Sequence, residues 1–198
     1  ALRLAAMSIP SPSTKSRLQQ AALSLFVAKG VEATTTRQIA AAAGVAEGTL
    51  YRHYDSKDAL VWELFSQPCA AFARTLDDLQ HREPNLAGKL EAMINGFCTL
   101  FDQDWVLFSF LLLVQHQQLD KVTEDMANPV KVVRAVLAEA MKQGELAPGN
   151  ADLAAALVIG PVLQAATFTV YGRLDRPLSQ HAATLSAACR RALLGDGS

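Results

Sequence analysis

Along most of the chain, apolar residues return at intervals of three and four rather than two. No sustained alternating run of β-branched residues interrupts them. The pattern predicts an all-α protein of about nine helices. A helix over 57–80 carries Leu60, Leu64, Ala71 and Leu76 in phase, and it should connect an N-terminal head to a helical body, so that tilting it moves the head. Helices over 86–101 (Leu90, Ile94, Phe97, Cys98, Phe101) and 104–119 follow. The second is apolar on nearly all sides through Val114, which predicts a central place in a core. Asn128-Pro129 opens another helix, because asparagine caps and proline suits the first turn; it ends near Gly144. The last two helices span 152–172 and 179–194. A kink is expected at Gly160-Pro161, where a backbone donor is lost.

Residues 35–60 have a finer grain: two short helices meet at a glycine, and a third starts at once. Thr35 can cap the first, with Gln38 completing a capping box. Ile39, Ala40 and Ala43 make a small apolar stripe, Gly44 ends the helix where a left-handed residue is needed, and Val45 plugs the corner. The second helix, about 47–54, turns Leu50 inward, while Thr49, Tyr51, Arg52 and His53 offer hydrogen-bond donors on its other faces. Asp55 or Ser56 caps the third and leaves Lys57 in its first turn. A lysine there opposes the helix dipole, so an anion such as a phosphate is its expected partner. Such a corner has the shape that major-groove recognition requires.

Composition sharpens this picture in three ways. Hydrophobic residues make up 51% of the chain but aromatics only 7%, which favours closely packed helices. The net charge of −1 hides an asymmetry: the first 60 residues hold seven Lys/Arg against four Asp/Glu, and the remainder carries the acidic excess. A mildly basic head on an acidic body suits docking of one end on DNA, and the modest charge calls for two heads acting together. The three cysteines, Cys69, Cys98 and Cys189, lack CxxC spacing and read as free thiols of a cytoplasmic protein rather than as a disulfide framework or zinc site. Residues 1–13 read as an irregular arm without the apolar core of a signal peptide, and Met7 is a candidate natural start. The apolar runs 105–114 and 153–171 read as buried helices, the first too short for a bilayer and the second interrupted by Gly160, Pro161 and Gln164.

The segment Thr36-Arg37-x-Ile39-Ala40-x-x-Ala43-Gly44-Val45, then Gly48-Thr49-Leu50-Tyr51-x-His53-Tyr54-x-Ser56-Lys57-x-x-Leu60, resembles the DNA-binding domain of the tetracycline-repressor (TetR) family of bacterial transcription regulators. The preceding helix fits as well, through Ala21, Ala22, Leu25, Phe26 and Gly30, so the likeness covers roughly a quarter of the chain. It implies a three-helix DNA-binding domain over 14–56 and an effector-binding and dimerisation domain over 57–198. The implied DNA contacts are Thr36, Arg37, Glu47, Gly48, Thr49, Tyr51, His53 and Lys57. It also implies a homodimer through about 151–194 and, by the family's default, repression of a palindromic operator relieved by a small molecule. Two positions depart from the pattern. Ala46 stands where Ser or Thr usually caps the recognition helix, at a cost of about 1 kcal/mol. Glu47 brings an anion towards the phosphates, either to accept from cytosine N4 or to face solvent.

For the effector, Met93, Phe97, Trp105, Phe108 and His116 in the middle helices are the candidate lining, and the lack of clustered charge there favours a mostly apolar or aromatic molecule. A protein partner acting on the body is the alternative. An enzyme is disfavoured: no nucleophile–base pair, HExxH, P-loop or GxGxxG follows from the sequence, and the four histidines are isolated. Asp77-Asp78 and Asp102/Asp104 read as solvated helix ends. No cofactor or metal is expected.

Overall fold

The structure is a computed structural model that describes residues 13–194, and those residues form helices joined by short loops. In order they are α1 (Thr14–Lys29), α2 (Thr36–Ala42), α3 (Glu47–Leu50), α4 (Lys57–Gln80), α5 (Leu86–Gln103), α6 (Trp105–Gln118), α7 (Pro129–Gln143), α8 (Ala151–Val170) and α9 (Ala182–Leu194). Short 3-10 turns occupy Leu119–Lys121 and Leu178–His181. The fold is all-α, as the periodicity predicts. Met7 and all of the expected arm except Ser13 lie outside the described residues.

Side-chain caps start most helices. Ser13, Thr35, Asn85, Asp104, Asn128 and Asn150 each accept a bond from a first-turn amide, and Ser56 Oγ does the same for Ala59 at the head of α4. These bonds satisfy donors that a helix start leaves without partners. α3 is different: it begins on extended Ala46 with no side-chain cap.

Contacts divide the chain into two compact units, with the boundary inside α4 between Leu64 and Phe65. The first unit buries Leu18, Ala22 and Phe26 of α1, Ile39 and Ala40 of α2, and Leu50, Tyr54, Leu60, Val61 and Leu64. The second has its own core, in which the inward face of α5 (Leu90, Met93, Ile94, Phe97, Cys98, Phe101) meets Val133, Val136 and Leu137 of α7, Val158 and Val162 of α8, and Cys189 of α9.

The helical stretch of α8 continues through Pro161, and the carbonyl that proline leaves without a donor belongs to Leu157, whose side is exposed. Two elements differ from the periodicity reading. α6 is not wholly enclosed: Phe108, Ser109, Phe110 and Val114 are buried, whereas Val106 and Leu113 are exposed. α9 begins only at Ala182, after the 3-10 turn, and Asp102 organises that entry. Its Oδ1 accepts from the Leu178 amide at 2.7 Å and its Oδ2 from the Ser179 amide at 2.9 Å. Burial opposes the charge of Asp102, but the Ser179 hydroxyl, the two amides and nearby Arg176 outweigh it and hold the carboxyl below its usual value. Asp102 therefore ties α5 to the start of the last helix, where the sequence suggested only a solvated end.

Candidate nucleic-acid interface

Local signals build the corner between α2 and α3. Thr35 Oγ1 accepts from the Gln38 amide at 3.2 Å and Gln38 Oε1 accepts from the Thr35 amide at 3.0 Å, closing the capping box. Gly44 follows α2 with φ 68°, a conformation that costs a residue with a Cβ. The Gly44 and Val45 amides then return to the carbonyls of Ala41 and Ala40 at 3.1 and 3.0 Å. Ile39, Ala40, Ala43 and Leu50 fill the inside of the corner, while Val45 is only half-buried.

α3 is a single turn, shorter than the periodicity implied. Past Leu50 the chain tightens, with the His53 and Tyr54 amides both directed to the Leu50 carbonyl at 2.9 and 3.0 Å. A missing cap at Ala46 and an internal Gly48 both weaken a short helix, which accounts for its length. Gly48 is not demanded by the fold: its φ is not left-handed, and no atom lies within 4 Å of where a Cβ would stand.

Outward from this frame stand Arg37, Glu47, Gly48, Tyr51, Arg52 and His53, all exposed, with Thr36 and Thr49 half-buried. Three of them interact. Thr36 Oγ1 donates to Glu47 Oε1 at 2.9 Å and lies 3.3 Å from the Tyr51 hydroxyl. The carboxylate that the sequence offered to a base or to solvent is thus held across the corner by α2.

Lys57 has protein partners in this structure. Its ammonium donates to the carbonyls of Val31 at 2.8 Å and Thr34 at 3.2 Å. Thr34 is fully buried and its hydroxyl donates to the Gly30 carbonyl at 2.8 Å, so together they fasten the loop between α1 and α2. The negative partner inferred from the helix dipole is supplied here by carbonyl oxygens.

A polar knot whose partners no local sequence pattern announces lies beneath the recognition segment. Glu63 Oε1 on α4 accepts from Lys15 Nζ at 2.7 Å, Gln19 Nε2 at 2.9 Å and the Tyr54 hydroxyl at 3.2 Å. Lys15 also stands 5.5 Å from the centroid of the Tyr54 ring. Burial, then the charge of Glu63, push the Tyr54 phenol well above its ordinary value. A signal was available: Glu63 interrupts the run Leu60–Leu64, and a carboxylate among core positions needs partners.

In the second unit, Met93, Phe97 and Phe108 are buried and Trp105 is half-buried. Phe97 and Phe108 meet edge to face at 5.7 Å, Phe72 lies 5.8 Å from both, and Trp105 packs edge-on to Phe101 at 5.4 Å. Arg176 lies 4.2 Å over the Trp105 ring. His116 is exposed, outside this cluster. Burial pushes the Cys69 thiol up to about 11 and, with Asp102 adding to it, the Cys98 thiol up to about 12, so little reactive thiolate exists at neutral pH.

A corner of this construction, with a polar outer row and a glycine turn, defines a helix-turn-helix unit. Residues 18–64 match the family described as bacterial regulatory proteins, tetR family. Its members are regulators rather than enzymes. The chain is 46% identical over 50 residues to the HTH-type transcriptional repressor KstR2 of Rhodococcus jostii (strain RHA1), a stretch covering 25% of this chain and 24% of that protein. The match therefore spans about a quarter of that relative's length. Two solved structures share the fold at 19% identity. The fatty acid degradation regulator FadR from Bacillus halodurans gives a TM-score of 0.80 over 91% of this chain and 96% of its own. FadR from Bacillus subtilis, in complex with stearoyl-CoA, gives 0.73 over 90% and 97%.

Proposed function

We propose that the chain is a ligand-responsive transcription regulator that binds a palindromic operator as a homodimer and represses until a small, mostly apolar molecule binds its helical body. The observation that carries this reading is the outer row of the corner. Arg37, Glu47, Tyr51 and His53 are exposed, with half-buried Thr36 and Thr49 beside them, on a frame whose inner face is used for packing. Gly48 adds an approach to the nucleic acid unhindered by a side chain. Lys57 contributes mainly by fastening the loop that precedes α2.

Dimerisation is supported by the outer face of α8. Leu153 and Leu157 near its start, and Phe168 and Tyr171 at its end, are exposed on one side, the first and last by 61% and 63%, in two apolar pairs about 27 Å apart at their extremes. Exposed apolar groups of this kind are what an association site uses. The positive charge of the first 60 residues is small, so pairing two heads supplies affinity that one lacks. The aromatic cluster around Phe97, Phe108 and Trp105 supports an apolar effector, and the stearoyl-CoA bound by the Bacillus subtilis neighbour suggests a long acyl chain as the class to test. As a DNA-binding regulator it would act in the cytoplasm.

Selection of duplexes from a random DNA pool by the full chain tests the reading. Recovered sequences should share an inverted repeat, with half-site centres about one helical turn, roughly 34–36 Å, or a multiple of it apart. Recovery of duplexes with no common sequence contradicts it.

A further inference from the structure

The three-residue contact across the corner has a direction. Glu47, as a carboxylate, can only accept hydrogen bonds, so the single proton of the Thr36 hydroxyl is committed to Glu47 Oε1 at 2.9 Å. The Thr36 oxygen then has only lone pairs left for the Tyr51 hydroxyl at 3.3 Å, and the phenol must be the donor in that contact. Once Tyr51 has given its one proton to Thr36, its oxygen too presents only lone pairs to the outside. Glu47 Oε2 takes no bond among the described residues, Glu47 is exposed, and Tyr51 is 51% exposed. A tyrosine that taken alone would offer a donor is thereby converted into an acceptor, beside a carboxylate that is one already.

We infer that Thr36, Glu47 and Tyr51 form an acceptor-only edge that selects a base carrying an exocyclic amino group, cytosine N4 or adenine N6, at one position of each half-site. This rests on the proposed reading of DNA by the corner. In the major groove those amino groups are the only base-edge donors, whereas guanine N7 and O6 and thymine O4 are acceptors. Acceptor against acceptor leaves both sides desolvated and without partners, so the edge rejects guanine and thymine more strongly than it attracts the correct base. That rejection explains why an acid is tolerated close to the phosphates. Thr36 restrains both partners from α2, across the corner from Glu47 in α3 and from Tyr51 at its C-terminal cap, and acts as the positioning residue.

The test uses the full chain and a duplex recovered by selection from a random pool. Each half-site position is replaced in turn by the other three base pairs, and affinities are measured for the wild type, Glu47→Gln and Thr36→Val. The wild type should require cytosine or adenine at one position, with about a ten-fold loss for guanine or thymine there. Replacing that base by its analogue without the amino group, 2-pyrimidinone for cytosine or purine for adenine, should give a similar loss and identify which base is read. Glu47→Gln supplies a donor as well as an acceptor and should shrink the preference to about three-fold or less at that position alone. Thr36→Val should relax the same position while thermal unfolding and the salt dependence of binding stay as in the wild type. If the wild type enriches a sequence but both variants keep its preference at every position, or the analogue binds as well as the natural base, the acceptor edge is wrong and DNA reading by the corner stands. If the wild type enriches no sequence, both fall.

Discussion

Lys57 shows how a side chain proposed for DNA contact also serves the frame that carries the corner. Its position at the start of α4 predicts an anion, and in this structure the ammonium meets the carbonyls of Val31 and Thr34 in the loop after α1. Lys57→Ala should therefore lower the free energy of unfolding by about 1–2 kcal/mol, since two carbonyls lose a charged donor at a partly exposed site. Unaltered denaturant unfolding would contradict the clamp. Asp102 serves the frame of the second unit. Its carboxyl is held below the ordinary value in the folded chain, so the stability it contributes is complete above the unfolded value near 3.8 and is lost as pH falls below it. Asp102→Ala should cost about 1–2 kcal/mol at pH 7 through loss of two capping bonds. The penalty should shrink towards zero as unfolding is followed into the acid range, and a penalty constant with pH would contradict that account.

At the scale of elements, α3 is where local chemistry is weakest. It lacks a cap and contains a glycine, and a single α-turn results. Ala46→Ser should supply the missing acceptor and stabilise the chain by about 1 kcal/mol, visible as a rise in the midpoint of thermal unfolding; no rise would mean that Ala46 is not a true N-cap. The elements themselves were largely legible, because helix existence is written in periodicity and caps. Thr35–Gln38, Gly44 and Asn128-Pro129 act within a few residues of themselves. What stayed hidden depends on residues brought together by folding: Glu63 with Lys15 and Tyr54, Asp102 with Leu178 and Ser179, and Thr36 with Glu47 and Tyr51. The half-exposed setting of α6 was hidden for another reason. Val106 and Leu113 are as apolar as the residues it buries, so composition gives no sign of which face turns out.

At the scale of the whole molecule, association and ligand response carry the proposed function. Leu157→Glu combined with Phe168→Glu places charge on the outer face of α8 and should turn a dimeric mass in light scattering into a monomeric one, without loss of helicity. A dimer unaffected by both changes would move the interface elsewhere. Trp105 offers a reporter for the effector. In a Trp62→Phe background it is the remaining tryptophan of two, and a long-chain acyl-CoA should alter its emission and release DNA over the same concentration range. Release of DNA without an emission change would place the effector away from the aromatic cluster.

In the proposed function, this chain reads DNA sequence through the corner at α2 and α3. The most direct test is equilibrium binding of the full chain to the selected duplex and to a scrambled duplex of equal length and composition, at one fixed salt concentration. Binding to the selected duplex should be at least about a thousand-fold tighter. Equal affinity for the two would contradict it.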